Sequence, residues 1–379
     1  MTAVTDGLGP IKPCPQTHLS PWALTRRRFA RRRIAVASLY VIAFLYLVSL
    51  MAEFVAPYPA GERHLDYAYA PPQALHWNLQ DGLHVRLLRP HVDPITFRRD
   101  FEELDDVVPV HLLARSTPAR LLGFIPTTRR LVGIDASRAG VPAAGGAEPT
   151  LFLLGSDRYG RDILSRIIFG SRISLTVGLV GVLLSLVLGL GVGAISGYAG
   201  GRIDDGIQRC VEIFQSLPQL PLWIAVAAAV PPNWSAVTSY FAITVLLGLL
   251  NWTGLARVVR GQVLALRNED YVVAARLAGA SHAYVLARHL LPACSSHVIA
   301  TLTLSMPAMI LGETALSFLG LGLRAPVVSW GVMLQDCLDV KTAMHYPWLF
   351  MPGALVVVTV LCFNFVGDGL RDVADPYAD

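Results

Sequence analysis

The sequence predicts an all-α membrane protein with six transmembrane helices, a cytoplasmic docking helix and a roughly hundred-residue external insert after the first span. Three observations carry this expectation. Of 379 residues, 54% are hydrophobic and only 15% charged, with a mean hydropathy of +0.51. That is too apolar for an ordinary soluble enzyme of this size. Apolar runs longer than the roughly 18 residues of a membrane helix recur along the chain. Arginines cluster immediately before the first such run.

Taken in order, residues 1–33 form a tail ending in Arg26-Arg27-Arg28 and Arg31-Arg32-Arg33. The run from Ile34 to Ala52 is too long for the apolar core of a signal peptide and lacks a convincing cleavage site, so it reads as a retained span within residues 34–56. Residues 57–150 are rich in proline, histidine and charge, with apolar patches at Val107–Leu113 and Leu121–Pro126. They read as a small, partly ordered external insert, closed by the flexible run Ala143-Ala144-Gly145-Gly146-Ala147. Residues 151–171 read as an interfacial amphipathic helix. Ile163, Leu164, Ile167 and Ile168 recur there at helical spacing, and Asp157, Gly160, Arg161 and Asp162 precede or face away from them. A simple lead-in turn is the alternative.

Residues 172–379 carry the remaining spans: Ile173–Tyr198, Ile213–Ala256, Leu290–Gly312 and Tyr346–Gly367. The second of these is about twice the length that a hydrocarbon core of about 30 Å requires, and Pro231-Pro232-Asn233 breaks it into two spans. Gly189, Gly193 and Gly197 make a small-residue ridge suited to close helix packing. The arginines before the first span place the amino terminus in the cytoplasm, and six spans return the carboxyl terminus to the same side. The connection from Arg257 to Arg288 then carries five arginines on the cytoplasmic side. The arginine-rich insert is long enough to translocate regardless of charge.

Several function classes are excluded. No basic-aromatic platform for nucleic acid is present, despite a formal charge of +4. Cys14, Cys210, Cys294, Cys337 and Cys362 lie far apart, supporting neither a disulfide framework nor a zinc site. The two lysines, Lys12 and Lys341, sit in no phosphate-cradling GxxxxGK[ST] loop, and neither a zinc-protease HExxH nor a nucleophile elbow occurs. No catalytic, cofactor-binding or metal residue is therefore assigned.

The connection 257–292 is the most informative segment. Asn268 is placed to cap a helix whose first turn carries Glu269 and Asp270, followed by Tyr271. Ala274, Ala275 and Ala278 leave one side nearly flat, and Gly279 is placed to end the helix. Ser281 is placed to cap a second helix that stops at Leu291-Pro292. Such a hairpin suits a groove in another protein.

The run from Tyr271 to Pro292 resembles the cytoplasmic coupling loop of binding-protein-dependent ABC permeases. Val273 stands where many members have glutamate, and His289 where many have isoleucine. The segments Gly155–Ser165, Glu313–Gly322 with Ser329-Trp330-Gly331, and Gly367–Asp372 narrow the resemblance to the dipeptide, oligopeptide and nickel branch. The resemblance implies a non-catalytic permease subunit in a bacterial inner membrane, forming half of a path for peptides or similar small solutes. It implies a second homologous permease, two ABC ATPases that bind ATP and Mg²⁺, an extracytoplasmic substrate-binding protein, contact with membrane lipid, and no nucleic acid. Glu269, Asp270, Tyr271, Ala274, Ala275, Gly279, Leu291 and Pro292 would then couple this chain to its ATPase. A secondary transporter or channel, or a membrane-anchored scaffold presenting the insert, are the competing readings.

Glu313 is an ionisable group inside a span. Counted from Pro292 it lies roughly 31 Å along its helix, near the outer end. It reads either as part of an outer gate or loop anchor, or as a carboxylate simply solvated at the interface. Pro307, Ser317 and Trp330 join it as candidate gate or path residues.

Overall fold

The computed structural model describes residues 21–79, 82–92, 94, 99–122, 124–134, 149–231 and 233–374. Cys14, Lys12, Pro232 and the Ala143–Ala147 run lie outside the described residues. The chain is mostly helical. It opens with α1 (Pro21–Ala30), α2 (Arg33–Leu50) and the short α3 (Ala52–Val55), so the tail ends in a helix.

The expectation of an all-α chain is corrected by the insert. Strands β1 (His76–Asn78), β2 (Gly82–Val92) and β3 (Arg99–Pro109) form an antiparallel sheet in the order β1-β2-β3, and β4 (His111–Leu121) pairs with β5 (Ile125–Gly133) as a hairpin. Val85 and Leu87 pack with Val108, Val110 and Leu151, whereas Leu88 packs with Tyr67, Ala70 and Phe152. A register shift between Arg86 and Leu88 lets the neighbours Leu87 and Leu88 serve different clusters. The same shift breaks the two-residue alternation that would have revealed a strand in the sequence.

Helix α4 (Ile163–Ala199) is continuous, and residues 151–162 form a turn-rich loop instead of an interfacial helix. The apolar stripe meets protein. Ile163 and Ile167 pack with Met333 and Leu349, and Ile168 packs with Ala52 and Ala56. At 1.5 Å per residue α4 is about 55 Å long, well over the hydrocarbon thickness.

The long run Ile213–Ala256 is broken twice. Helices α5 (Gly201–Ser216) and α6 (Gln219–Ala228) meet at an 85° bend, and α7 (Ala236–Leu266) follows a second break. Leu217 is held extended before Pro218, which disfavours helical geometry in the preceding residue. Next come α8 (Asp270–Leu277), α9 (His282–Val285), a π-turn over Leu286–Leu290, and α10 (Leu291–Ala293). The remaining helices are α11 (Ser295–Phe318), α12 (Trp330–Leu334), α13 (Val340–His345) and α14 (Met351–Ala374). Leu291-Pro292 does not stop the helical path: the π-turn over Leu286–Leu290 directly precedes Pro292, and the helical backbone continues through it into α10. Among the described residues, five helices are long and apolar enough to cross a membrane, or up to six if the bent pair counts as one.

Helices α4 and α7 are held close by the predicted glycine ridge. A Cβ on Gly189 would lie 2.8 Å from Leu255, one on Gly193 2.5 Å from the Ala256 carbonyl, and one on Gly197 2.8 Å from that of Arg260. A central cluster including Leu175, Leu247, Ile310 and Phe363 joins α4, α7, α11 and α14. At one end of the bundle Arg32 pairs with Asp372 at 3.0 Å. At the other, Arg172 of α4 pairs with Glu53 at 2.7 and 2.9 Å and donates to the Ser49 and Leu50 carbonyls.

Candidate functional site

The predicted site residues fall into three groups. Two lie at the end of the bundle that carries the insert, and one at the opposite end.

The segment Asp157–Asp162 is a tight polar knot. The Asp157 carboxylate accepts from the backbone N–H groups of Tyr159 and Arg161 at 2.8 and 3.0 Å, from Arg161 Nε at 2.7 Å, and from Arg166. Gly160 has φ +67°, and a Cβ there would lie 1.8 Å from the His64 carbonyl oxygen, so only glycine lets the insert seat. Asp162 caps α4, accepting from Ser165 N at 2.7 Å and Ser165 Oγ at 2.6 Å. Ser165 Oγ in turn accepts the Tyr58 N–H at 2.9 Å. Burial pushes the Asp162 carboxyl up to about 6, against the lowering effect of its Ser165 donors. Arg158 reaches Asp336 at 3.2 Å, tying the knot to the loop after α12.

Glu313 has partners that the sequence did not reveal. Its carboxylate is fully buried and accepts from Ser317 Oγ at 2.8 Å, Ser329 Oγ at 2.8 Å and Ser174 Oγ at 3.3 Å. Each hydroxyl also accepts a backbone N–H. Ser317 takes that of Leu323 at 2.9 Å, Ser329 that of Val332 at 3.2 Å, and Ser174 that of Trp330 at 3.2 Å. A hydroxyl has one proton to give, so a group that only accepts fixes the direction of all three. Trp330 is fully buried and donates Nε1–H to the Ile167 carbonyl at 3.1 Å. The carboxylate therefore orders the loop between α11 and α12 against α4. Interfacial solvation is ruled out by its complete burial. The structure joins Glu313, Ser317 and Trp330 in one cluster, while Pro307 is buried two turns earlier in an uninterrupted α11. Sequence reasoning missed Ser174, which carries no motif of its own.

At the opposite end, the connection 257–292 folds as a hairpin against the bundle. The cap of α8 is Glu269 without a side-chain hydrogen bond, correcting Asn268, and Glu269 and Asp270 are exposed. Ser281 caps α9 by accepting from Tyr284 N at 3.3 Å. Gly279 has φ +87°, the left-handed turn that ends α8. Val272 is buried with Val285 and Leu290, and Ala275 and Leu291 pack against the same cluster. Ala274 and Ala278 face outward with Tyr271 and Val273, whereas Pro292 is exposed at the far end. Leu277, which the motif reading passed over, is 85% exposed, and Tyr284 is also exposed. His289 lies 6.2 Å from the Tyr271 ring and 5.8 Å from the Tyr284 ring, spanning the two arms. Tyr198 of α4 hydrogen-bonds His282 at 2.7 Å. Nearby, Arg260 of α7 grips Asp204 of α5 through two 2.6 Å bonds, a brace no sequence motif had marked.

Two family models match the chain. The family described as "Binding-protein-dependent transport system inner membrane component" matches residues 189–378, and "N-terminal TM domain of oligopeptide transport permease C" matches residues 20–72. The dipeptide transport system permease protein DppC of Bacillus subtilis is 30% identical over 350 residues, covering 92% of this chain and 84% of that protein. The oligopeptide transport system permease protein OppC of the same organism is 40% identical over 223 residues, covering 59% and 70%. Among solved structures, the methionine ABC transporter MetNI in an inward-facing conformation aligns with a TM-score of 0.42 at 19% identity, covering 55% of this chain and 96% of that one.

Proposed function

Because the chain belongs to the binding-protein-dependent transport system permeases, the non-catalytic membrane subunits of ABC importers, we propose that it forms half of a peptide translocation path. The other half is a second, homologous permease. Two ABC ATPases that bind ATP and Mg²⁺ drive the pair, and an external binding protein delivers the peptide. The observation that carries the reading is the outward face of α8, where Tyr271, Val273 and Leu277 lie exposed beside a buried inner face. Apolar side chains displayed on a short helix at one end of a membrane bundle suit a partner's groove.

Six spans follow if α5 and α6 cross together. The amino terminus of α2 and the carboxyl terminus of α14 then share the cytoplasmic side with α8, in keeping with the Arg32–Asp372 pair and the arginines of residues 26–33. The insert and the Glu313 cluster face outward, and the cluster anchors the outer loop of the path. Glu269, Asp270, Tyr271, Ala274, Ala275, Gly279, Leu291 and Pro292 form or support the ATPase-coupling surface.

The test is reconstitution. Liposomes holding both permeases and both ATPases, supplied with binding protein and ATP, should accumulate labelled oligopeptide, and omission of this chain should abolish uptake. The isolated chain should hydrolyse no ATP above background. Uptake by the isolated chain driven by an ion gradient would favour a secondary transporter instead. A Met344→Cys variant, 79% exposed in wild type, should react with an impermeant thiol reagent in intact spheroplasts. Reaction only after permeabilisation would invert the topology.

A further inference from the structure

The β4–β5 hairpin is bound to the outer end of the first span through its tip. Both hairpin strands pack against α3, which puts Leu122 beside the Glu53 carboxylate that Arg172 holds in its two-pronged ion pair. Glu53 follows Leu50 by three residues, across the break at Met51, and Arg172 also donates to the Leu50 carbonyl. The ion pair marks the level at which the apolar span gives way to charge. Leu122, Phe124 and Ile125 therefore lie beside that level, and they are 39%, 69% and 46% exposed.

These three side chains are not part of the insert's core, which forms around Val85, Leu87 and Val108. On α2 itself Phe44, Leu47 and Leu50 are likewise 62%, 55% and 52% exposed. The exposed Arg120 flanks the tip in sequence, a cation of the kind that pairs with phosphate headgroups. Apolar tips beside a basic residue are the composition of an interfacial membrane contact.

We propose that the β4–β5 tip is a membrane-interface anchor, with Leu122, Phe124 and Ile125 set into the outer edge of the bilayer next to α2. The occupant is lipid, because the exposed apolar tip sits at the end of a helix apolar enough to cross the membrane, at the height of its terminal ion pair. The anchor fixes the orientation of the insert above the membrane. It rests on α2 being a span that ends near Leu50, and not on which side of the membrane the insert faces.

Spin labels test this in the complete importer reconstituted in liposomes, with Cys14, Cys210, Cys294, Cys337 and Cys362 replaced. Single Phe124→Cys, Phe44→Cys and Leu79→Cys variants carry the label, the last as a water reference, being 92% exposed in wild type. Collision with lipid-soluble oxygen, relative to a water-soluble nickel chelate, should be severalfold greater at Phe124 than at Leu79, and greatest at Phe44. If Phe124 matches Leu79 while Phe44 reports lipid, the anchor is overturned and the span stands. If Phe44 reports water, both fail. If Phe124 is shielded from both reagents, a partner subunit covers the tip and the lipid anchor is overturned.

Discussion

Glu313 and Ser329 meet through a 2.8 Å hydrogen bond across the loop that joins α11 to α12, with Ser317 and Ser174 converging on the same buried carboxylate. A glutamine amide in place of that carboxylate could accept at one end only. Its NH₂ would face Ser174 on one side or Ser317 and Ser329 on the other, and the O–H proton of each hydroxyl it faces would lose its acceptor. Leaving buried polar groups unsatisfied costs about 1 to 3 kcal/mol each. Glu313→Gln should therefore loosen the loop and lower peptide uptake, and Glu313→Ala should do so more strongly. The loop carries the exposed Arg324, so limited trypsin cleavage at that residue is the direct readout. Wild-type cleavage rates in Glu313→Ala would show that the carboxylate does not anchor the loop.

Asp162 provides a pH signature at the junction of insert and bundle. Burial raises its carboxyl from an ordinary 3.8 to about 6. The stability it contributes is complete below about 3.8 and is lost as pH rises through about 6. Between those values the unfolded chain releases the proton while the folded protein retains it, so stability falls as pH increases. Asparagine caps a helix about as well as aspartate and does not titrate. Asp162→Asn should flatten the dependence of thermal unfolding on pH in that window relative to wild type. Parallel profiles for the two proteins would show that Asp162 does not titrate there.

The Asp204–Arg260 brace joins α5 to α7 beside the glycine ridge. Hydrogen bonds to charged groups contribute about 1.5 to 3 kcal/mol, and this pair makes two. Arg260→Ala should lower thermal stability and the yield of inserted protein. Asp204→Asn, which keeps one acceptor, should do less. Equal melting temperatures for Arg260→Ala and wild type would reduce the pair to a surface contact.

The five long apolar helices were legible because membrane burial demands long apolar runs, and the α4–α7 contact was legible because Gly189, Gly193 and Gly197 repeat on one face. The turn at Gly279 was legible from the helix-ending pattern around it. The strands of the insert were hidden by the bulge at Arg86/Leu88 and by solvent-facing charge. The three-serine environment of Glu313 was hidden for a different reason. Ser174 lies 139 residues from it in the chain, and nothing local distinguishes Ser174 from any other helix serine. The supposed interfacial helix failed because an apolar stripe records burial without recording whether lipid or protein does the burying.

The outward face of α8 yields the most decisive substitution. The alanine pair suggests that bulk at Ala275 would block docking, but Ala275 packs inward with Val272, Val285 and Leu290. Ala275→Trp would disturb the loop itself. Leu277 has no such ambiguity, since it is 85% exposed and its loss removes little from the fold. If α8 seats in an ATPase groove, Leu277 is desolvated there, and a carboxylate in its place enters an apolar site unpaired. Central interface side chains contribute about 2 kcal/mol or more, which is roughly thirtyfold in affinity. Leu277→Asp should therefore lose ATPase on pull-down and lose uptake, with insertion and melting temperature unchanged, whereas Leu277→Met should retain both. Gly279→Val should fail by another route, because a β-branched residue strongly disfavours the +87° φ that turns the chain from α8 to α9. Full ATPase recovery by Leu277→Asp, at equal amounts of inserted protein, would place the coupling contact elsewhere on the loop.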